Sequence, residues 1–325
     1  MKFFFSNLFY VLLSSLIAAS TMLYISEHQY TKDGPLNLEK IINIEKGDTL
    51  IDITNNLMQN GIIENRVLFI SLIKIKGLSD KIKYGEYLVE EKSSIRTLLK
   101  KITKGIPLQR KITVPEGLTS VEILQLLNND KRIIGERLRN AREGEFAPET
   151  YSFDINLTKR ELLEKMEKEQ KKIVKFAWSN RLDDLPLKSS SDLVTLASIV
   201  EKEALRDSEK AIIASVFINR LNKNMRLQSD PTVIYALTEG KSILKRKLTQ
   251  KDLKKISEYN TYKVKGLPPT PICNPGKVAI IATSRPAKTD FLYFVADGQG
   301  GHNFSITLKQ HNKYVYKYRK FIKEN

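Results

Sequence analysis

The sequence predicts an α+β protein that begins with an N-terminal transmembrane helix, continues with small α+β units and ends in a mixed α/β region. Three observations lead to this prediction. The chain starts with a long run of uncharged, mostly apolar residues. A strand–turn–helix pattern then recurs three times. Beyond it, amphipathic helices precede a short apolar strand near the C-terminus. The 325 residues suffice for two domains or one large one, and 41% hydrophobic residues indicate a globular chain.

The first residues predict a membrane anchor. No charged residue occurs from Phe3 to Ile25, and about 20 apolar residues cross a bilayer as a helix. The positive charge of Lys2 before the run favours an N-terminus in the cytoplasm. Secretory apolar regions are usually shorter, about 7–15 residues, although cleavage after Ala19 is an alternative. We expect residues 1–30 to form the anchor and the start of a linker, with the rest of the chain on the far side of the membrane.

The strand–turn–helix pattern follows a polar linker at residues 29–37. Each repeat has a short alternating strand, a turn and a residue that can cap the next helix. The three predicted strands and their helix caps are Ile41–Ile44 with Thr49, Tyr87–Val89 with Ser93–Ser94, and Ile112–Val114 with a capping box of Thr119 and Glu122. We place the first two repeats in one subdomain, residues 38–110, and begin a connecting α+β region, residues 111–185, with the third.

The second half of the chain is predicted to be mainly helical, with a proline-rigid loop at residues 266–276. A strand at residues 291–295 and a basic C-terminal helix follow this loop. The predicted helices and their caps are residues 158–178, a helix after Ser191, a helix from Glu209 to Leu221 capped by Ser208, and a short helix capped by Asp230 with Pro231 in its first turn.

The composition is strongly basic, with 54 Lys and Arg against 37 Asp and Glu and a formal net charge of +17. This balance favours a polyanionic partner, such as nucleic acid, anionic lipid or an acidic polymer, although scattered basic faces would give the same total. The sequence has no zinc-finger spacing, Arg-rich arm or aromatic RNA-binding motif. We therefore expect no nucleic-acid partner.

Cysteine and histidine are scarce. Cys273 is the only cysteine, so no intrachain disulfide can form and the compartment cannot be read from it. With three histidines in the chain, a His/Cys metal cage is hard to assemble, and the nine-residue spacing of His302 and His311 is not a metal motif. We expect neither a metal nor another cofactor.

Two carboxylates, Glu201 and Glu203, lie two places apart in the otherwise apolar helical stretch "LASIVEKEA". Residues two apart on a helix do not share a face, so both cannot point into one site. Each lies on one margin of the apolar stripe, and periodicity does not choose between them. Either could also be a boundary carboxylate paired with a Lys or Arg on a neighbouring helix.

The first repeat, "INIEKGDTLIDITNNLMQNGII", resembles a LysM module, a small fold that binds the N-acetylhexosamine backbone of cell-wall glycans. The resemblance rests on the "KGDTL" turn and the helix after it. We therefore expect a LysM-like subdomain over residues 38–110. The alternative is a generic α+β unit without a ligand.

Four blocks of the second half together resemble the YceG-like family, the membrane-anchored endolytic murein transglycosylases. In order they are "LASIVEKEA", "ASVFINRLNKNMRLQSDPTVIYAL", "YNTYKVKGLPPTPICNPG" and "FLYFVADGQGGHNFSITLKQHN". The match covers nearly the whole chain after the anchor and is densest from Leu193 to Asn312. It implies a transglycosylase catalytic domain at residues 186–325, and it places the essential acid at the second carboxylate of "EKE", Glu203. It also implies a single-pass protein of the bacterial inner membrane, with its catalytic part on the extracytoplasmic side and peptidoglycan synthases as partners.

The resemblance implies a reaction that needs one acid rather than two. Glu203 would protonate the oxygen between N-acetylmuramic acid and N-acetylglucosamine, and would then accept the proton of the sugar's own C6 hydroxyl, giving a 1,6-anhydro end. Because a free Glu has a pKa of about 4.3, such an acid needs a desolvated position that raises its pKa. A nearby Arg would lower the pKa and should not contact Glu203 in the free enzyme.

Polar and aromatic residues of the same blocks are predicted to bind the glycan through its acetamido groups, hydroxyl groups and sugar faces. These residues are Asn219, Gln228, Thr232, Tyr235, Tyr259, Asn260 and His302. For each of them the alternative is a structural role, such as capping or packing in the core. The sequence departs from the family pattern at Thr270 and in "IATSRPAK", and Thr270 could narrow the cleft.

Two other functions fit the same sequence. One is a non-catalytic, membrane-anchored LysM-like peptidoglycan-binding protein that merely packs Glu203. The other is a basic scaffold that contacts anionic lipid through its Lys-rich face, in which case binding should fall steeply with salt.

Overall fold

The computed structural model describes residues 2–324, with side chains described from Phe9 to Glu324. The chain divides into two compact units. The first comprises residues 1–111 and 152–156, and the second comprises residues 112–151 and 157–325. The predicted subdomain at residues 38–110 lies within the first unit. The regions predicted separately as 111–185 and 186–325 fall mostly in the second unit, and the boundary between them stays a prediction.

The first helix, α1, runs from Lys2 to Thr31. Its segment Phe9–Thr31 is long and apolar enough to cross a membrane. The mean hydropathy is 1.7, and this apolar stretch is not buried inside the protein. A helix of this length rises about 35 Å, which exceeds the roughly 30 Å hydrocarbon core of a bilayer. Large apolar side chains of this helix, such as Leu16 and Met22, are exposed because no other element packs over them.

The rest of the first unit is a small α+β layer. Its elements are β1 (Lys40–Ile44), α2 (Leu50–Gln59), α3 (Arg66–Ile75), β2 (Gly85–Val89) and α4 (Ile95–Lys104). Strands β1 and β2 pair antiparallel, with Ile42 opposite Tyr87, and both residues belong to the core of this unit. The predicted strands and the cap at Thr49 are confirmed, and of the predicted pair Ser93–Ser94 it is Ser94 that caps α4. Helix α3, capped by Asn65, was not predicted.

Strand β3 (Arg110–Thr113) pairs with β4 (Thr150–Phe153). Helix α5 (Ser120–Asn129) follows β3 and begins with the predicted capping box of Thr119 and Glu122. Helix α6 (Lys159–Ser179) begins after Thr158 and is close to the predicted range.

The core of the second unit is built around one buried helix. Its elements are α7 (Ser190–Glu203), α8 (Asp207–Asn222), α9 (Asp230–Thr238), α10 (Lys277–Ser284), β5 (Tyr293–Ala296), β6 (His302–Ser305) and α11 (Leu308–Glu324). Helices α6, α8 and α10 all pack on α7, and every residue of α7 from Leu193 to Val200 is buried. A mostly apolar helix that is buried on all sides must be surrounded by other elements of the fold. Glu201 and Glu203 thus stand at the end of the most enclosed helix of this unit.

Three predicted caps were wrong by one to two residues. Helix α7 is capped by Ser189 instead of Ser191. Helix α8 begins at Asp207 rather than after Ser208. Helix α9 already includes Asp230, and its N-cap is Ser229, whose side chain makes no capping hydrogen bond. The shift at α9 bears on the candidate site, because the Ser229 hydroxyl is used elsewhere.

Candidate active site

The two carboxylates at the end of α7 have different surroundings. The Oε1 atom of Glu201 lies 3.0 Å from Nζ of Lys210, and its Oε2 atom accepts a hydrogen bond of 2.9 Å from the backbone N–H of Gly276. Lys210 is buried and also pairs with Glu116 and Asp207. Glu201 therefore joins α7 to α8 and to the first turn of α10 as part of a structural ion-pair cluster.

Glu203 instead lines an open cleft of about 350 Å³. The cleft is assembled from the ends of α7 and α8, the loop before α9, the segment after residue 260, strand β5 and helix α11. Its lining residues besides Glu203 are Arg220, Leu227, Gln228, Asp230, Tyr262, Tyr293, Phe294, Leu308 and His311. The cleft combines one carboxylic acid with polar groups and aromatic rings, a composition suited to a sugar chain.

Ser229 holds the carboxyl group of Glu203. Its Oγ donates a hydrogen bond of 2.6 Å to Oε1 of Glu203. Ser229 is itself buried and fixed, because its N–H donates to Oγ1 of Thr261 and its carbonyl accepts from Oγ1 of Thr232. Gln228, just before it, has a φ of +51°, in the left-handed region that ordinary residues seldom adopt. The backbone of this loop is thus held in an unusual conformation that delivers the Ser229 hydroxyl to the acid.

The pKa of Glu203 is raised from its ordinary value to about 7. Burial is the largest cause, and the negative charge of Asp230 adds to it. The hydrogen bond from Ser229 and the positive charge of Arg220 act in the opposite direction. At pH 7 about half of the molecules therefore carry a proton on Glu203, which suits a group that must both give and take one.

Arg220 contributes positive charge to the cleft, while its Nε and Nη1 groups donate to backbone carbonyls. Its Nε donates to the carbonyl of Leu292 and its Nη1 to the carbonyl of Leu227, both at 2.6 Å. No ion pair joins Arg220 to Glu203 within the described residues. The arrangement agrees with the expectation that no Arg contacts the acid, and it explains why burial prevails over attraction in setting the pKa of Glu203.

Asp230 and Tyr262 form a second polar wall. The Tyr262 hydroxyl donates a hydrogen bond of 2.7 Å to Oδ1 of Asp230, and burial raises the pKa of Tyr262. On another wall, the rings of Tyr293 and His311 stack with centroids 5.3 Å apart. These walls offer hydrogen bonds and flat apolar faces next to the acid.

Of the seven residues predicted to bind glycan, Gln228 lies in the cleft wall with Glu203. Thr232 and Asn260 are buried behind it, where Thr232 braces Ser229 and Asn260 donates to the carbonyls of Leu253 and Lys255. Neither lines the cleft, and direct contact of either with glycan stays a prediction.

The other four predicted residues have protein partners of their own. Asn219 donates to the carbonyls of Thr289 and Phe291, tying α8 to the segment before β5. His302 Nδ1 lies 2.7 Å from the Glu209 carboxylate. The direct contact of either with glycan stays a prediction.

Tyr235 and Tyr259 form a pair, with ring centroids 4.8 Å apart. The hydroxyl of Tyr259 bonds to Thr270 at 2.6 Å. Burial and the negative charge of the nearby Glu143 raise the pKa of Tyr235. Thr270, the family departure, is thus engaged by an aromatic residue of the same block.

Sequence reasoning missed several residues of the cleft. Ser229 and Arg220 lie inside the quoted block "ASVFINRLNKNMRLQSDPTVIYAL", but no local pattern distinguishes them from their polar neighbours. Tyr293 and His311 come from a strand and a helix that meet Glu203 only in the folded chain. Within the described part of the chain, no three His, Cys, Asp or Glu residues are grouped to hold a metal ion.

Comparison with known proteins defines the class. The model of the YceG-like family matches residues 42–317, which is most of the chain. This chain therefore belongs to the YceG-like family.

Two bacterial relatives are named for an enzymatic activity. The endolytic murein transglycosylase of Bacillus subtilis is 31% identical, over 85% of this chain and 84% of its own length. That of Streptococcus pneumoniae is 28% identical, over 89% of this chain but 61% of its own length. A crystal structure of a YceG-like protein from Listeria monocytogenes superimposes with a TM-score of 0.53 and 30% identity, covering 85% of this chain and 98% of that one.

Proposed function

We propose that this chain is an endolytic murein transglycosylase, a lyase that cuts peptidoglycan strands between N-acetylmuramic acid and N-acetylglucosamine and leaves 1,6-anhydro ends. Membership of the family and the activity named for the Bacillus and Streptococcus relatives support it. The observation that carries the proposal is Glu203, an acid with a pKa of about 7 that lines an open cleft of about 350 Å³.

The chemistry follows from one carboxyl group acting twice. Protonated Glu203 gives its proton to the bridging oxygen, and the C1–O bond breaks, so that N-acetylglucosamine leaves with a hydroxyl. The carboxylate stabilises the positive charge that develops at C1. It then accepts the C6 hydroxyl proton as O6 bonds to C1, which closes the anhydro ring and restores the protonated acid. No water is consumed, whereas ordinary glycoside hydrolysis uses two carboxylates and a water.

The remaining cleft residues hold the strand. Gln228, Asp230 and Tyr262 offer hydrogen-bonding groups for acetamido and hydroxyl substituents, while Tyr293 presents an aromatic face to a sugar ring. Thr232 supports the loop that carries Gln228 and Ser229, while Asn260 fixes the chain just before Thr261. The other predicted residues, Asn219, Tyr235, Tyr259 and His302, belong to a wider shell of the glycan site.

Helix α1 anchors the protein in the bacterial inner membrane. The second unit then faces the extracytoplasmic side, where nascent strands emerge, and residues 186–325 act as the transglycosylase domain after the connecting region 111–185. The order of strand, two α-helices and strand over residues 40–89, which α4 follows, supports a LysM-like module that binds the same glycan. Cutting close to the membrane ends strand elongation, which makes peptidoglycan synthases the expected partners.

The test is product analysis with the full-length protein in detergent, on purified peptidoglycan strands. Wild-type protein should release fragments with 1,6-anhydro ends, detected by mass spectrometry, and Glu203→Gln should release none. The matched control is Glu201→Gln, two residues away, which should keep the reaction.

Anhydro products from Glu203→Gln would end the catalytic assignment. Wild-type binding to glycan without any cleavage would favour the non-catalytic glycan-binding protein. Reducing ends in place of anhydro ends would indicate a hydrolase in which Asp230 acts as the second carboxylate.

A further inference from the structure

Arg220 is a buried cation to which the described residues supply no carboxylate partner. The residue is 7% exposed, and arginine is almost never so deeply buried in a folded protein unless it is paired. Burial accordingly lowers the pKa of Arg220, because water no longer stabilises its charge. An anion placed beside the guanidinium group would therefore stabilise it.

One nitrogen of the guanidinium group remains available to a ligand. Nε donates to the carbonyl of Leu292 and Nη1 to that of Leu227, with a longer bond of 3.4 Å from Nη1 to the carbonyl of Arg226. The guanidinium carbon lies 5.3 Å from the centre of the Tyr293 ring. Nη2 donates to no acceptor in the described part of the chain and is not sealed from solvent. Since Arg220 lines the cleft, a ligand in the cleft can reach Nη2.

The two carboxyl groups of the cleft are held by hydroxyl groups instead of by Arg220. Ser229 donates to Glu203 at 2.6 Å, and Tyr262 donates to Asp230 at 2.7 Å. Neither carboxyl group accepts a hydrogen bond from Nη2. This nitrogen is therefore left for an acceptor that enters the cleft from outside the chain.

His311 does not compete for an anion. Burial and the positive charge of Arg220 lower the pKa of His311 from its ordinary 6.5, so the imidazole is neutral at pH 7. Among the described residues that line the cleft, Arg220 is then the one with a positive charge. An anion in the cleft is attracted toward Arg220 and repelled by Asp230, which restricts the position it can take.

We propose that Nη2 of Arg220 binds a carboxylate carried by the muramic acid residue whose C1 atom reacts, and that this contact selects the bond that is cut. The inference rests on the proposed function. A guanidinium group suits a carboxylate because its N–H donors match the two oxygens in geometry and charge.

The chemistry of the strand places such a carboxylate in the cleft. Muramic acid differs from N-acetylglucosamine by a lactyl ether, which ends in a carboxylate or, where a peptide is attached, continues into a peptide that carries carboxylates. The ether is on the same ring as C1, so a strand with C1 beside Glu203 brings this substituent into the cleft. Pairing with Arg220 then holds the strand in the register in which C1 of muramic acid, rather than C1 of N-acetylglucosamine, faces the acid.

The test compares strands with and without their carboxylates, using the full-length protein in detergent. One pair is peptide-bearing peptidoglycan strands, native or with their carboxylates converted to amides by a carbodiimide and ammonia. The other pair is strands freed of their peptides by an amidase, which exposes the lactyl carboxylates, again native or amidated. The rate of anhydro-end formation gives KM and kcat for each.

Amidation should raise the KM of the wild-type protein about tenfold for the strands that supply the carboxylate. The value of kcat should change little, because the contact is made equally by the bound strand and by the transition state. An effect on the peptide-free pair identifies the lactyl carboxylate, and an effect confined to the peptide-bearing pair identifies the peptide. The difference should persist at high salt, because buried charges are screened much less than exposed ones.

Variants of Arg220 connect this difference to one side chain. Arg220→Gln should raise the KM for native strands to the value for amidated strands, and Arg220→Lys should retain part of the difference because it keeps the charge. The matched control is Arg226→Gln, an exposed arginine six residues further along, which should discriminate as the wild type does. Because Arg220 also ties two backbone carbonyls, circular dichroism checks folding, and the strand comparison on the wild type needs no variant.

Three results would overturn the proposal. Equal KM values for native and amidated strands in both pairs would mean that no substrate carboxylate is bound. An undiminished difference in folded Arg220→Gln would assign the carboxylate to another residue. A difference that disappears with salt would indicate exposed lysines.

Failure of the proposed function gives a different result, because wild-type protein would then release no anhydro ends from any strand. Binding of the same four strands to Glu203→Gln protein separates the two cases. Tighter binding of native than of amidated strands would support the Arg220 site even without cleavage, and equal binding would exclude it.

Discussion

Ser229 occupies the N-cap of α9, yet its hydroxyl donates to Oε1 of Glu203 at 2.6 Å instead of capping its own helix. A capping serine usually contributes about 1 kcal/mol to stability, so the helix start gives up that contribution. Because the hydroxyl proton of Ser229 points at Oε1, the transferable proton of the neutral acid resides on Oε2. Ser229 thereby positions one specific oxygen of Glu203 for proton transfer.

The activity of the wild-type protein should depend on a protonated Glu203. With a pKa of about 7, the rate should be nearly constant below that pH and should fall about tenfold per pH unit well above it. The measurement is the rate of anhydro-end formation between pH 5 and 9. A rate that rises from pH 7 to 9 would mean that the ionised form starts the reaction.

Replacing Ser229 with alanine should move this profile. In the wild type the hydrogen bond from Ser229 lowers the pKa of Glu203. Removing this bond therefore raises the pKa and shifts the alkaline limb of the pH–rate profile to higher pH. The rate on the low-pH plateau should fall roughly 10-fold or more, because the carboxyl group loses its orientation. Ser229→Thr keeps the hydroxyl and should restore much of both properties. An unchanged limb with a lower rate would mean that Ser229 serves only packing.

The raised pKa of Glu203 also predicts a cost in stability at alkaline pH. The unfolded chain releases this proton near the ordinary pKa of 4.5, while the folded protein holds it to about 7. The free energy of unfolding therefore falls as pH rises through that window. Glu203→Gln removes the effect and should be more stable than wild type by roughly 2–3 kcal/mol at pH 8, with little difference at pH 4.5. Denaturant titrations at the two pH values measure this, and equal differences at both would contradict it.

Lys210 should matter for stability rather than for chemistry. Its ammonium group is buried and pairs with the carboxylates of Glu201, Glu116 and Asp207. Lys210→Met leaves the Glu201 carboxylate buried without its cation and should lower the free energy of unfolding by about 3 kcal/mol. Equilibrium unfolding in urea is the measurement, with the exposed Lys175→Met as control, which should change stability by less than about 0.5 kcal/mol. A loss no larger than that of the control would show that water reaches Glu201.

Much of the local structure was predictable because its signals are local. The predicted cap Thr49 and the predicted capping box of Thr119 with Glu122 satisfy backbone donors within one turn, and both are confirmed. Helix α10 was missed because its N-cap, Gly276, has no side chain to signal a start. Its short apolar run is equally compatible with a strand.

The sequence by itself determined the apolar first helix, the positions of most helices and the pair of candidate acids in "LASIVEKEA". It could not choose between those acids from periodicity, since a helical wheel gives only a direction around one axis. The tertiary structure distinguished them by bringing Lys210 and Gly276 to Glu201, and Ser229 to Glu203. These partners lie 9, 75 and 26 residues away in the chain. A pKa depends on the charges, donors and water around a group, and those are fixed only when α8, α10 and the loop before α9 pack against α7.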